Sequence, residues 1–265
     1  MNFCSIASGS SGNCIFVGTE HTSVLIDAGI SGKKVTEGLH SIDRKPEDLD
    51  AILITHEHSD HIKGLGVLAR KYGLPIYCSS GTKDAMLSAH MLGDVDESLF
   101  HEVLPDEHFR IRDLDVLPFR VSHDAAEPVA YRLSHEEKSV AVATDLGYYD
   151  DYVIDHLQHL DAVLVESNHD INMLQVGRYP YYLKQRILGL KGHLSNDNAG
   201  RLLGSILHDD MKAVLLGHLS LENNYEDLAL MTVSAEITMG DNPFKGTDFP
   251  IQVAGREHPS GMIAV

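Results

Sequence analysis

The chain has 265 residues, 43% hydrophobic and 23% charged, a balance that excludes disorder and allows a substantial core. Lys and Arg number 21 against 39 Asp and Glu, and the formal charge of -18 excludes broad contact with polyanions unless a basic patch or a bound metal overrides it locally. Three cysteines, Cys4, Cys14 and Cys78, are an odd set that does not make a disulfide framework in a chain this long.

The opening run Met1-Asn2-Phe3-Cys4-Ser5-Ile6 lacks the basic start and apolar stretch of a signal peptide, and no apolar run is long enough to span a bilayer. The expected setting is cytoplasmic, with no membrane association. In chain order, residues 24–26 and 51–54 are short β-branched apolar runs that end on polar residues, as buried strands do. Residues 64–72 read as a helix closed by Gly73, and 75–78 as a strand. Hairpin-like strands follow over 110–117, 119–122, 129–133 and 139–143, then a helix over 151–159 and a buried strand over 162–165. Helices over 181–188 and 196–207, a buried strand over 213–216 and a helix over 225–231 complete the pattern. With no linker, low-complexity tract or repeat array, this mixture points to an α/β sandwich with its sheets inside.

The chemistry concentrates in His56-Glu57-His58-Ser59-Asp60-His61, directly after the apolar run and Thr55. Histidine is abundant at 17 residues, yet composition alone does not separate ligands from surface histidines. Position does: four ligand-type residues sit at the mouth of a buried strand, where side chains can converge. His56 and His58 can reach one ion, while Asp60 and His61, past the turn, can reach a second roughly 3.5–4 Å away. Imidazole with carboxylate suits zinc or the harder manganese. Three later strand ends supply partners: His123, Asp145 (placed to bridge two ions) and His218. Singly each could be a cap or turn residue. Together they complete two coordination spheres with a position left for water.

In this order, the HxHxDH run, the later His, the Asp and the final His resemble the metallo-β-lactamase superfamily. The resemblance implies an α/β chain folded as a four-layer αβ/βα metallo-β-lactamase sandwich, one domain over residues 1–265, with two divalent ions (Zn2+ or Mn2+) as cofactors. Asp27, at the end of Val24-Leu25-Ile26-Asp27, matches the superfamily's first motif, an acidic residue that supports the metal loop from behind. Ala7-Ser8-Gly9-Ser10-Ser11-Gly12-Asn13, Val165-Glu166-Ser167-Asn168-His169-Asp170 and Gly192-His193-Leu194-Ser195-Asn196 narrow the likeness to the YycJ (WalJ) branch. That branch implies 5′-to-3′ exonuclease action on double-stranded DNA. On this reading Ser10, Ser11 and Asn13 face a phosphate, or else form a plain tight turn. His169 is an active-site neighbour or part of a strand-end turn. His193 resembles in position a histidine that touches the scissile phosphate in the superfamily's tRNA-processing nucleases; otherwise it is a loop histidine ahead of a helix capped by Ser195 or Asn196.

The implied reaction is attack on phosphorus by a metal-bridged hydroxide, oriented by Asp60, with His193 acting on the phosphoryl oxygens or the leaving group. The substrate is less determined. DNA as a partner is opposed by the net charge and favoured by Arg178, Lys184, Arg186 and Lys191, the most basic stretch of the later half. Tyr179, Tyr181 and Tyr182 beside it could stack on bases; the same stretch could equally be a solvated helix face with packed tyrosines. The competing enzyme is a small-molecule hydrolase of a thioester, lactone or cyclic phosphodiester. A non-catalytic binding module is a third class, disfavoured because no ligand is missing.

Overall fold

Two seven-stranded sheets face one another across an apolar layer, and helices cover both outer faces. The computed structural model describes residues 1–265. The first half of the chain supplies β1 (Asn2–Ala7), β2 (Cys14–Gly18), β3 (Ser23–Ile26), α1 (Gly32–Ser41), β4 (Ala51–Leu53), α2 (Ser59–Ile62), α3 (Leu65–Tyr72), β5 (Ile76–Cys78), α4 (Ser80–Ser88) and β6 (Phe100–Glu102). The second half supplies β7 (Phe109–Ile111), β8 (Leu114–Arg120), β9 (Val129–His135), β10 (Lys138–Ala143), α5 (Asp151–His156), β11 (Ala162–Glu166), α6 (Ile171–Val176) and α7 (Tyr181–Leu188). It ends with α8 (Asn196–Ile206), β12 (Ala213–Gly217), α9 (Glu226–Met239), β13 (Ile251–Val253) and β14 (Ile263–Ala264). The sheet orders are β14-β1-β2-β3-β4-β5-β6 and β13-β12-β11-β10-β9-β8-β7.

Period-two alternation sorts each strand between two apolar layers. Val140, Val142 and Leu164 join the inter-sheet layer, whereas Ala141, Val163 and Val165 pack under the outer helices. Each fully buried aliphatic side chain contributes roughly 1.5–3 kcal/mol, and a one-residue slip would exchange the two sets. Burial therefore fixes the register, and the register fixes which residue leaves the sheet first at each strand end. Strands β3 and β4 run parallel to one another, as do β10, β11 and β12, so the ends that carry functional side chains share one edge.

Several expected boundaries differ. The strand expected over 110–117 is two strands turned at Arg112, which adopts a left-handed φ of 51°. The expected break between residues 117 and 119 does not occur. Pro118 sits inside β8, opposite Tyr131 and past the last residue paired with β7, where its missing N–H costs no ladder bond. Helix α5 stops at His156, three residues early, and α9 runs eight residues beyond Met231 to Met239. The three cysteines are free and buried. No helix is long and apolar enough to cross a membrane.

Candidate metal centre

Three of the strand ends finish on a residue in the left-handed region: Asp27 (φ 61°), Asp145 (φ 60°) and His218 (φ 55°). Asp and His tolerate this conformation better than most residues, though it carries a cost of order 1–3 kcal/mol each. It turns the chain sharply off the sheet and aims the side chain across the edge. The loop carrying Asp60 reaches the same place by packing its carbonyl onto Gly29, where a Cβ would lie only 1.7 Å from that oxygen.

The result brings together all seven residues expected to bind metal. His56, His58 and His123 form one cluster, Asp60, His61 and His218 another, and Asp145 joins His56 and His61 in a third grouping between them. Asp145 lies 3.1 Å from His61 Nε2 and 3.5 Å from His123 Nε2. His218 Nε2 is 3.2 Å from Asp60. His58 Nδ1 and His123 Nε2 approach to 3.2 Å, close to the roughly 3.3 Å edge of a tetrahedron whose ligand bonds are about 2.0–2.1 Å.

The remaining imidazole nitrogens are spoken for, which decides the tautomers. His61 Nδ1 donates to Asp27 at 2.7 Å, His123 Nδ1 to the Gly192 carbonyl at 3.1 Å and His218 Nδ1 to Glu166 at 2.8 Å. Each leaves Nε2 turned inward. Asp27 is itself fixed by the Thr55 N–H at 2.9 Å and the Thr55 hydroxyl at 2.9 Å. Meanwhile His56 Nε2 is buried with no hydrogen-bond partner, and Asp145 Oδ2 meets only His61 Nε2, at 3.1 Å. An orphaned buried polar atom is costly, and this one belongs to the His56, His61 and Asp145 grouping. The donor set, the inward ring nitrogens and the orphaned His56 Nε2 fit divalent metal.

Charge is tightly coupled across the cluster. Burial pushes the His56 imidazole well below its usual range, reinforced by His61. Burial alone would depress His61 too, but the Asp27 and Asp145 carboxylates hold it well above that range. His218 is pushed up to about 10 by Asp145, Asp60 and Glu166 against the effect of burial. Glu166, fully buried, is drawn down to about 2 by His193 and His218. The carboxylates thus favour protonation of His61 and His218 while burial disfavours it at His56.

Glu166 is the residue that sequence reasoning missed. One oxygen meets His193 Nδ1 at 2.7 Å as well as His218, and the other accepts the Leu146 and Leu194 N–H groups at 2.8 and 3.1 Å. The available signal was an acidic residue closing a fully apolar strand, a position without solvent for its charge. Asp27, expected to support the metal loop, lies behind His61 and bonds its Nδ1, and His193 lies at the cleft edge with 16% of its side chain exposed.

The expected substrate contacts divide. Ser10 and Ser11 are exposed on the loop beside the centre. Asn13 is fully buried, its amide nitrogen 3.2 Å from His61 Nε2, and it braces that loop through Ser8 and Gly9. His169 is buried to 1% exposure and faces Asn168, and burial lowers its pKa to about 4. Arg178 is exposed with no ion pair, Lys184 is tied to the Gln175 and Gly177 carbonyls at 2.7 Å, and Arg186 forms a fork with Asp124. Tyr181 and Tyr182 are 77% and 75% exposed, which removes the packed-core alternative for both.

Comparison with known proteins agrees with this geometry. Residues 22–218 match the family described as the beta-lactamase superfamily domain. The chain is 46% identical to exodeoxyribonuclease WalJ of Streptococcus pneumoniae, over 93% of this chain and 91% of that protein. It is 43% identical to exodeoxyribonuclease YycJ of Bacillus anthracis, over 88% of each. The metallo-β-lactamase fold protein YhfI from Bacillus subtilis superposes with a TM-score of 0.68 at 19% identity, over 97% of both chains, a likeness of fold.

Proposed function

The chain belongs to the beta-lactamase superfamily domain family, and from that premise we propose that it is a metal-dependent exodeoxyribonuclease that degrades DNA from a 5′ end. The observation that carries the reading is the convergence of His56, His58 and His123 with Asp60, His61 and His218 around Asp145. We assign the first three residues to one divalent ion, the second three to another and Asp145 to both, with zinc or manganese as the ions. When bound, the ions supply an activated water and neutralise charge on the phosphoryl group.

The protein's own residues do the rest. Asp27 and Glu166 lock the ring orientations of His61 and His218. Asp60, beside His218 Nε2, orients the attacking water in line with the leaving oxygen. His193 has Nδ1 engaged by Glu166, so Nε2 faces the cleft, and the Glu166 carboxylate outweighs burial to raise its pKa. Its protonated form donates to the leaving oxygen as the P–O bond breaks. We assign Arg178, Lys184 and Arg186 to contacts with the nucleic-acid backbone, the exposed Tyr181 and Tyr182 to its bases, and Ser10 and Ser11 to a phosphate. The buried free cysteines suit a reducing cytoplasm.

The test is substrate turnover. Protein loaded with zinc or manganese is offered 5′-phosphorylated duplex DNA, single-stranded DNA, RNA, a thioester and a lactone. Progressive nucleotide release from the 5′ end is expected. Turnover confined to the thioester or lactone overturns the proposal.

A further inference from the structure

Beside the metal centre lies a second cavity of about 360 Å³, with Arg120, Ser122, Tyr148, Asp150 and Tyr152 in its lining. Its volume is that of a small-ligand pocket. It grows from the same two loops that carry His123 and Asp145. Ser122 immediately precedes His123, Tyr148 follows shortly after Asp145, and the Gly147 N–H donates to the Ser122 carbonyl at 2.8 Å, joining the loops.

The two tyrosines differ in freedom. Tyr152 is pinned: its hydroxyl donates to Asp106 at 2.5 Å and accepts from the Arg120 N–H at 3.0 Å, so its ring is a fixed wall. Tyr148 is 42% exposed, and its hydroxyl has no hydrogen-bond partner in the protein. Leu190, 72% exposed, is tied to the lining residue Ser122, whose hydroxyl donates to its carbonyl at 2.7 Å. Exposed apolar surface next to a polar recess is a recognition feature more than a packing one.

The chemistry of the lining narrows the occupant. A free phosphate would meet the Asp150 carboxylate, and a plain acyl chain would desolvate Asp150 and Arg120 without replacing their hydrogen bonds. Arg120 already pairs with Asp106, and Asp150 caps α5 by accepting from the Val153 N–H at 3.2 Å, so these groups are held in place and a flat heteroaromatic ring can add edge contacts to them without displacing either bond. We propose that this cavity is a nucleobase subsite, in which Tyr148 stacks on the base of a nucleotide flanking the phosphate held at the metal centre. This rests on the nuclease reading above and gives it a second anchor, sequence-tolerant because every base has a π-face.

The experiment compares wild type with Tyr148→Ala and Tyr148→Phe, metal-loaded, on two substrates. One is 5′-phosphorylated duplex DNA; the other is bis(p-nitrophenyl) phosphate, a phosphodiester without a nucleobase. Tyr148→Ala should raise KM for DNA about tenfold, in keeping with loss of one base–aromatic stack, and leave turnover of the nitrophenyl diester unchanged. Tyr148→Phe should behave as wild type on both. An unchanged KM for DNA in Tyr148→Ala overturns the subsite, as does an equal loss on both substrates. Wild type that cleaves the nitrophenyl diester but no nucleic acid overturns the nuclease reading itself, and that result is told apart by needing no variant.

Discussion

Glu166 holds His193 by a 2.7 Å hydrogen bond from Nδ1, with the carboxylate fully buried and the imidazole at the edge of the cleft. The charge that raises the histidine's pKa is therefore out of solvent, where Coulombic coupling is least screened.

Replacing His193 by Ala should lower kcat on DNA about 10²- to 10⁴-fold, the usual contribution of a positioned proton donor. On bis(p-nitrophenyl) phosphate, whose leaving group departs without a proton, the loss should be far smaller. Glu166→Gln keeps the shape but removes the charge, so the His193 pKa drops. Activity that needs the protonated ring should then fail at lower pH than in wild type, moving the alkaline limb of the kcat profile down. A limb that stays in place would mean His193 is not the donor.

How much of this was open to sequence reading follows from particular residues. The run after residue 54 was legible because four ligand-type side chains rarely crowd the end of a buried strand unless they share a metal. Asp145 and His218 were legible as strand-end residues, but their left-handed backbone was not, since Asp and His only tolerate that region and usually lie outside it. Glu166 closes an apolar strand yet acts entirely through partners distant in sequence, 27 residues away at His193 and 52 away at His218. Helix α1 escaped because only Val35 and Leu39 mark its buried stripe among the larger side chains, and α4 because its apolar face is thin. Asn13 read as facing a phosphate or as part of a tight turn, and only the packing of Ser8 and Gly9 around it reveals a brace.

Asp27 serves two purposes, and substitutions can separate them. Asp27→Asn tolerates the φ of 61° but sets an amide nitrogen against donors from Thr55 and His61. Metal affinity should fall about 10- to 100-fold, the usual cost of losing such a supporting partner, while the fold persists. Asp27→Ala adds the backbone penalty of roughly 1–3 kcal/mol. Metal titration followed by thermal melts of both variants checks this. Equal melting temperatures for Asn and Ala would sink the backbone part.

Away from the centre, Asp161 accepts from Lys138 Nζ at 2.8 Å and the Ser139 N–H at 3.0 Å. Burial opposes its charge, yet these bonds outweigh it and hold the carboxyl below its usual range. A depressed folded-state pKa gives stability that is present above the unfolded value, about 3.9, and lost as pH falls through the folded one. Asp161→Asn should cost about 1–2 kcal/mol at neutral pH, allowing for the solvent-exposed lysine. The gap to wild type in urea melts should close below about pH 4. A gap constant from pH 7 to 3 would exclude the charge as its cause.

Metal removal is predicted to be a proton event as well as a loss of activity. In the metal-free protein Asp145, Asp60, Glu166 and Asp27 shift His218 and His61 toward the protonated form against the effect of burial. A metal needs the lone pairs that those protons occupy, so uptake near neutral pH should expel protons into the buffer. Calorimetric titration of zinc in two buffers of different ionisation enthalpy will show it as a difference in apparent heat. Affinity should strengthen as pH rises toward the raised pKa of His218, about 10. The stability of the metal-free form should run the other way. A histidine whose pKa is raised on folding stabilises fully below its unfolded value, about 6.5, and that stability is lost as pH rises through the folded value. Chelated protein should therefore melt at progressively lower temperature between about pH 7 and 10, while metal-loaded protein holds steady. Buffer-independent heats, together with a flat alkaline melt of the chelated form, would show that the histidines are already neutral before the ion arrives.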